Sequence, residues 1–223
     1  MRIKRILLYA FACISITGCY KPFMEVGGGY ARFNLDDDIV SVQDINGELV
    51  ETKVNNIDSF IVKVRTGGSI IEALPQFRTG IEFRGALGGD IDVEEAATGD
   101  EAFSDFVLLM LGGGPFVSWK QPLGDMFFIE AGAFASGHTA GVHESGQEIN
   151  NNEIVNEEDV GALGWSAGVF GKIGILPSGD YPVGFSLEAA YERGEWIFED
   201  EIGGEDTFGV DGYSVLLSSE IEF

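Results

Sequence analysis

The last eleven residues of the chain alternate strictly between two kinds of side chain. Such a period of two is expected for a β-strand whose two faces meet different surroundings, and the acids near the end indicate that one face is wet. Repeated and closed on itself, a strand of this kind can cross a bilayer, because closure pairs every backbone N–H and C=O group with a neighbouring strand. One face carries Tyr213, Val215, Leu217, Ser219, Ile221 and Phe223, and the other carries Ser214, Leu216, Ser218, Glu220 and Glu222.

The first residues have the features of a secretion signal. Three basic residues precede the apolar stretch Ile6 to Ile16, which is shorter than the roughly 20 residues that a membrane-spanning helix needs. The motif Ile16-Thr17-Gly18-Cys19 follows and resembles the lipobox of bacterial lipoproteins. We therefore predict a signal peptide over residues 1–18 and a single barrel domain over 19–223 that begins with an acylated Cys19. The alternative is an ordinary signal peptide in which Cys19 is incidental.

Acylation of Cys19 gives a direct prediction. Radiolabelled palmitate is expected to enter the wild-type chain and to be absent from Cys19→Ser, because the thiol is the group that the lipid modifies. Cys13→Ser is the matched control, because Cys13 lies inside the signal and is removed with it. Equal labelling of Cys19→Ser and the wild type would show that the cysteine is not the lipidation site.

About eight alternating segments follow, each long enough to cross a bilayer as a tilted strand. Compact turns rich in Gly and Pro alternate with long connections. This rhythm predicts an all-β fold, an eight-stranded antiparallel transmembrane up-and-down β-barrel with both termini on the periplasmic side. The predicted strands lie near 22–34, 57–66, 74–87, 103–119, 124–138, 161–175, 182–197 and 208–223.

Two local features refine this prediction. In the first strand, Glu25 and Phe33 share a parity, so we expect a bulge near Gly27 to Gly29 to change the register. In the first long connection, apolar alternation on both sides of Asn46-Gly47 predicts a hairpin. The first two barrel strands are therefore expected to continue beyond the membrane as a ribbon, with a bare loop as the alternative.

The formal net charge of −24 is concentrated in the four long connections, near 35–56, 88–102, 139–160 and 199–207, which contain Lys53 as their only Lys or Arg. These acidic extracellular loops exclude nucleic acid as a partner. The densest run, with Asp90, Asp92, Glu94 and Glu95, is a weak candidate for binding divalent cations through oxygen ligands. The alternative is a solvated surface without a defined metal site.

If the apolar parity of each strand faces lipid, many charged side chains must face the barrel interior. An eight-stranded barrel is only wide enough for side chains to fill, so these charges are expected to pair and close the lumen. A salt-bridged ion or proton path is the alternative. The predicted charge network consists of Lys63, Arg65, Arg78, Glu82, Arg84, Glu130, Lys172, Glu188, Glu192 and Glu220, and Glu222 is a further candidate.

Signals of catalysis are weak. His143-Glu144-Ser145 resembles the His-x-Ser of lipid A deacylases, but Gly146 follows where that family has Asn, and the motif is expected in a hydrated loop. His138 is predicted to be a surface residue. No phosphate loop, zinc spacing or dinucleotide fingerprint is present, so we predict no catalytic residue and no cofactor.

The strand rhythm and the terminal Phe223 resemble the small eight-stranded outer-membrane barrels, a family that includes opacity proteins, outer-membrane protein X and the barrel of outer-membrane protein A. The resemblance implies a structural, adhesive or protective surface protein, non-enzymatic and monomeric, located in the bacterial outer membrane. Its partners would be membrane lipid, lipopolysaccharide and the barrel-assembly machinery, and an extracellular ligand is open. A narrow channel like outer-membrane protein W is the alternative. The implied assembly signal consists of Tyr213, Val215, Leu217, Ile221 and Phe223.

Overall fold

A computed structural model describes residues 20–35, 39–43, 49–95, 105–145, 157–176, 183–199 and 205–223. This part of the chain is almost entirely β-strand, and it contains no helix long and apolar enough to cross a membrane. The strands are β1 Tyr20–Leu35, β2 Ile39–Gln43, β3 Leu49–Ser69, β4 Phe77–Glu95, β5 Asp105–Leu123, β6 Phe127–Ser145, β7 Glu157–Ile175, β8 Val183–Glu199 and β9 Glu205–Glu222.

Eight of these strands form one closed antiparallel ring, in which β1 pairs with both β3 and β9. At the terminal end of the barrel, where Tyr20 and Phe223 lie, the Phe223 amide donates to the Pro22 carbonyl at 2.9 Å. The opposite end, called the loop end below, carries the long connections. The structure confirms the predicted eight-stranded antiparallel barrel with both termini at one end.

The two faces of the wall are reversed relative to a water-soluble protein. Large apolar side chains point outward on every barrel strand, whereas charged side chains are buried inside. On β9 the outward row from Ile221 to Tyr213 is apolar apart from Ser219, and it extends for about 26 Å along the strand. An outward apolar band flanked by aromatic residues is the surface of a barrel that lies in lipid.

The barrel strands extend further toward the loop end than the sequence predicted. β4 continues to Glu95 and β6 continues to Ser145, through segments that we expected to be loops. The reason is that Ile91 and Val93 keep the alternation going among the acids, and both pair with residues of β3. The strands therefore stay paired through these acidic segments, and the connections between them are shorter than predicted.

The predicted ribbon is present. β2 pairs with the start of β3, from Ile39 opposite Lys53 to Gln43 opposite Leu49, at the level where β1 has ended. The turn residues Asn46 and Gly47 lie outside the described residues.

The predicted bulge near Gly27 to Gly29 is wrong. The register of β1 runs without interruption from Phe23 to Asn34 against both neighbouring strands. Glu25 and Phe33 share a parity because both point into the lumen, which accepts aromatic as well as charged side chains. Gly29 has a packing role instead, since a Cβ atom there would overlap the Val215 carbonyl oxygen.

Candidate functional site: a charged lumen

The interior of the barrel holds six basic and six acidic side chains among the described residues, all of them nine-tenths or more buried. All ten members of the predicted network are among them. Glu25 and Lys120 complete the set, and neither was predicted from the sequence. The formal charges of this layer therefore balance, as burial requires.

Glu188 is the centre of the network. Its side chain is completely buried on β8, and its carboxylate contacts three cations. Glu188 pairs with Lys63, its Oε2 lies 2.6 Å from Arg65 Nη1, and the same oxygen lies 3.4 Å from Lys172 Nζ. Three cations around one carboxylate make its removal far more costly than that of a surface acid.

Two of these three cations, Arg65 and Lys172, have further acidic partners. Arg65 Nε donates to Glu82 Oε2 at 2.6 Å, and Lys172 Nζ donates to Glu25 Oε2 at 2.5 Å. Lys172 also lies 3.8 Å from Glu130, whose other oxygen accepts from Ser118 Oγ at 2.6 Å. The centre of the lumen is therefore one connected cluster and not a set of separate pairs.

A second group lies toward the terminal end. Glu220 accepts from Arg78 at 2.9 Å and from Lys120 at 2.5 Å, and Lys120 also reaches Glu222 at 3.0 Å. Glu222 is 38% exposed at its side chain, so the lumen opens to solvent just below it. Glu222 therefore belongs at the edge of the network, whereas Glu220 belongs inside it.

A third group lies toward the loop end. Arg84 on β4 donates to Glu192 on β8 and to Ser166 on β7, each at 2.6 Å. This is the last ion pair of the layer in that direction among the described residues, and apolar side chains follow it.

Several of these ion pairs join strands that are not neighbours in the sheet. Lys120 on β5 and Glu220 on β9 are separated by three strands in either direction around the ring. Lys63 on β3 also reaches Glu188 on β8 across the lumen, past two strands in one direction and four in the other. The network therefore cross-braces the barrel, meaning that its ion pairs connect opposite sides of the interior. Hydrogen bonds between adjacent strands do not make such connections.

Aromatic rings pack against the cations of the lumen. The Arg65 guanidinium lies 3.8 Å from the centre of the Phe170 ring, and the Arg78 guanidinium lies 3.4 Å from the centre of the Phe23 ring. Lys120 lies over Phe128 at 4.3 Å. These cation–π contacts explain why phenylalanines occupy inward positions beside charges.

Toward the loop end the lumen becomes apolar. A buried cluster that includes Ile57, Leu108, Met110 and Trp196 fills this half. The apolar plug was not predicted, because the interior parity was expected to be polar throughout.

His138 is buried in the same half, and its predicted surface position is wrong. Its ring packs edge-on against Trp196 with centroids 5.8 Å apart. Gly112 and Gly164 face it from the two adjacent strands, and a Cβ atom on Gly164 would overlap His138 Nε2. The two glycines leave the space that this ring occupies.

A small cavity of about 10 Å³ lies among Lys63, Arg65, Arg84 and Glu188. That volume holds a single water molecule.

The four candidate cation ligands belong to β4 and pair with residues of β3: Asp90, Asp92, Glu94 and Glu95. Within the part of the chain that the structure describes, no three His, Cys, Asp or Glu residues form a group that would hold a metal ion. Cation binding by this segment stays a prediction, and Cys19 lies outside the described residues.

The motif His143-Glu144-Ser145 is not in a loop, contrary to our expectation. It forms the end of β6, because the pairing with β5 and β7 continues through it. In this register His143 lies opposite Asp159 of β7, and Ser145 lies opposite Glu157 of β7 and Asp105 of β5.

The proposed assembly residues form the outer face of the last strand. All five are between 41% and 66% exposed, so the row faces outward as a docking surface requires: Tyr213, Val215, Leu217, Ile221 and Phe223.

Deleting Phe223 is expected to lower the amount of folded, heat-modifiable barrel in the membrane. The resemblance assigns the ring and terminal carboxylate to docking on the insertion machinery, and the Phe223 amide also closes β9 onto the start of β1. The measurement is the folded fraction on unheated gels of membrane preparations. Phe223→Tyr is the control, which keeps a ring and a terminal carboxylate. An unchanged folded fraction in the deletion would contradict the assignment.

Comparison with known proteins places this fold. No protein-family model matches the chain, and no curated protein matches it. Among solved structures, the chain is similar to Neisserial surface protein A, with 11% identity, a TM-score of 0.54, and coverage of 91% of this chain and 97% of that one.

Two further structures are similar at the same level. OprG, an outer membrane protein from Pseudomonas aeruginosa, has 12% identity, a TM-score of 0.51, and coverage of 93% of this chain and 98% of that one. A major outer membrane protein from Thermus thermophilus has 9% identity, a TM-score of 0.55, and coverage of 91% and 98%. The chain therefore has the fold of small outer-membrane β-barrel proteins.

Proposed function

We propose that this chain is a non-enzymatic β-barrel of the bacterial outer membrane that presents acidic loops at the cell surface. The termini lie on the periplasmic side and the loop end lies outside the cell. The observation that supports this role most directly is the cross-braced, charge-balanced lumen, which makes the barrel a rigid scaffold for its loops.

The packing of two successive layers supports a closed lumen. The ion-pair layer leaves a cavity of about 10 Å³, and the apolar cluster of the loop-end half follows it. A hydrated ion would have to break pairs such as Arg84–Glu192 and then cross apolar side chains without water. Both steps are costly, because they strip charges of their partners or of their solvent.

The test is conductance in a planar bilayer. Purified, folded wild-type protein is expected to show no steady unitary conductance, while a general porin reconstituted in the same way does. Steady unitary currents from the wild type would overturn the closed scaffold and favour a narrow channel for ions or small molecules.

A second candidate function is hydrolysis of an ester bond in a lipid of the outer leaflet. The observation that favours it is the strand register, which places His143 of β6 opposite Asp159 of β7 and Ser145 of β6 opposite Glu157 of β7. Nucleophile, base and acid are the groups that acyl transfer uses.

This candidate is tested by incubating the folded protein with lipopolysaccharide and measuring the fatty acid released. Release by the wild type that is lost in Ser145→Ala, with both proteins equally folded, would establish the esterase and reject a non-enzymatic role. Ser136→Ala is the control, because Ser136 is a buried serine on the opposite face of the same strand. No release by the wild type would reject the esterase.

A further inference from the structure

The outer wall carries an unusual patch at the loop-end margin of its apolar band. On β1, β8 and β9 the outward residues change there from aliphatic side chains to Tyr30, Tyr191 and Tyr213, and then to charged ones. Tyrosines at this level are typical of the interface between the hydrocarbon core and the headgroups. The patch therefore lies where the headgroups of surrounding lipids lie.

Two exposed arginines lie in this patch. Of the thirteen Lys and Arg residues in the chain, six are buried in the lumen, whereas Arg32 and Arg193 point outward with side chains 44% and 68% exposed. They are the two arginines on the outer wall in the described ranges. Because the long connections are strongly acidic, these two cations stand out as anion-binding groups.

Arg32 is held in a fixed orientation. Its Nε and Nη2 atoms form a fork with the two oxygens of Asp58, at 2.6 and 2.7 Å, and Nε also lies 3.2 Å from the Tyr30 hydroxyl. This fork leaves Nη1 outside the carboxylate contact. Arg193 lies 3.6 Å from Asp211 in a looser pair. Each arginine is thus oriented by one carboxylate, and a guanidinium has more N–H donors than one carboxylate accepts.

The strand register sets the spacing of the two arginines. Arg32 lies opposite Tyr213, Tyr213 lies opposite Tyr191, and Arg193 is two residues further along β8. Two strand spacings and a two-residue offset put their Cα atoms about 12 Å apart. The Tyr191 and Tyr213 rings, with centroids 5.0 Å apart, lie between them. The arrangement fits two anionic groups on one ligand better than a single phosphate.

An apolar groove begins immediately below the tyrosine pair. The next outward row toward the terminal end is Val215, Ala189, Gly171, Ala131 and Trp119, in direct register across five strands. Its three central residues are small, so an open groove of about 600 Å³ lies between the larger neighbours Ile129, Ile173 and Leu187. A volume of that size accommodates an extended hydrocarbon chain.

We propose that the patch and the groove together bind a bisphosphorylated glycolipid of the outer leaflet. Arg32 and Arg193 bind its two phosphates, the tyrosine pair lies under the headgroup, and one acyl chain lies in the groove. The proposal rests on the outer-membrane location and orientation proposed above. It adds a lipid site on the outer wall that neither a closed lumen nor the acidic loops require.

The test measures binding of defined lipids to the folded barrel in detergent by titration. Bisphosphoryl lipid A is expected to bind wild type at least tenfold more tightly than monophosphoryl lipid A and more tightly than phosphatidylglycerol. Arg193→Gln is expected to bind the bisphosphoryl lipid about tenfold more weakly and to lose the preference for the second phosphate. Ala189→Leu, which fills the groove, is expected to weaken binding of both lipid A forms.

Lys53→Gln is the matched control, since it removes one positive charge from the ribbon at the loop end and away from the groove. Its affinity is expected to remain within twofold of the wild type. Equal affinity of Arg193→Gln and wild type, or equal binding of the two lipid A forms, would overturn the assignment. Equal binding of phosphatidylglycerol would overturn the glycolipid as the ligand. None of these results depends on conductance, so they leave the closed-lumen proposal to its own test.

Discussion

Replacing Glu188 by glutamine is expected to lower the free energy of unfolding of the barrel by about 3–5 kcal/mol. The reason is that Lys63, Arg65 and Lys172 all contact the Glu188 carboxylate in a completely buried position. A neutral amide of the same shape leaves three buried cations with one acid fewer. The measurement is urea unfolding of the refolded protein in lipid vesicles.

Glu72→Gln is the matched control for that variant. Glu72 is exposed in the connection between β3 and β4, so its replacement is expected to change the unfolding free energy by less than about 0.5 kcal/mol. A similarly small change in Glu188→Gln would mean that water reaches the cluster and screens its charges. That result would contradict a dry, closed lumen.

The second large effect on the free energy of unfolding is expected from the ion pair between Arg84 and Glu192, in which Arg84 Nη1 lies 2.6 Å from Glu192 Oε1. Arg84→Met and Glu192→Gln are each expected to cost about 3–5 kcal/mol, because each leaves one charge buried without its partner. The double variant is expected to cost less than the sum of the two, since neither charge then remains. A double-mutant cycle on unfolding free energies measures this coupling.

Ser166→Ala serves as the comparison in that cycle, because it removes the hydrogen bond that Arg84 Nη2 donates to Ser166 Oγ and keeps the ion pair. Its cost is expected to be about 1.5–3 kcal/mol, the range for hydrogen bonds to charged groups. If the single-variant costs simply add in the double variant, the two side chains do not interact, and the ion pair does not close this part of the lumen.

The alternation of the strands was sufficient to predict the ring and the inward position of ten charged residues. It failed where the two faces of a strand do not differ in polarity. Glu25 shares its parity with Phe23 and Phe33, and all three are buried in the lumen. The mixture of charged and aromatic residues on one face of β1 made its alternation look irregular. Lys120 precedes the turn signal Pro122-Leu123-Gly124, and we therefore placed it in a turn, although the strand continues through it.

The partners of the charges could not be predicted from the same pattern. Which residue lies across the lumen depends on how far each strand is shifted along its neighbour, and the sequence does not state that stagger. Lys120 illustrates the difficulty, because its direct neighbour in the sheet is Glu130 but its ion pairs are with Glu220 and Glu222. His138 was misplaced for a related reason, since its space is created by glycines on two other strands.

The cross-bracing of the lumen also constrains how the chain reaches its native state. Lys172 and Glu25 are 147 residues apart in the chain, and Lys120 and Glu220 are 100 apart. In an open sheet of the first few strands, these charged side chains are without their final partners. Unpaired charges are energetically costly in the hydrocarbon core of a bilayer. Pairing of β1 with β9 and expulsion of water from the interior must then occur together. Closure of the barrel is therefore expected to be a late, concerted and slow step of folding, because it forms contacts between residues that are far apart in the sequence.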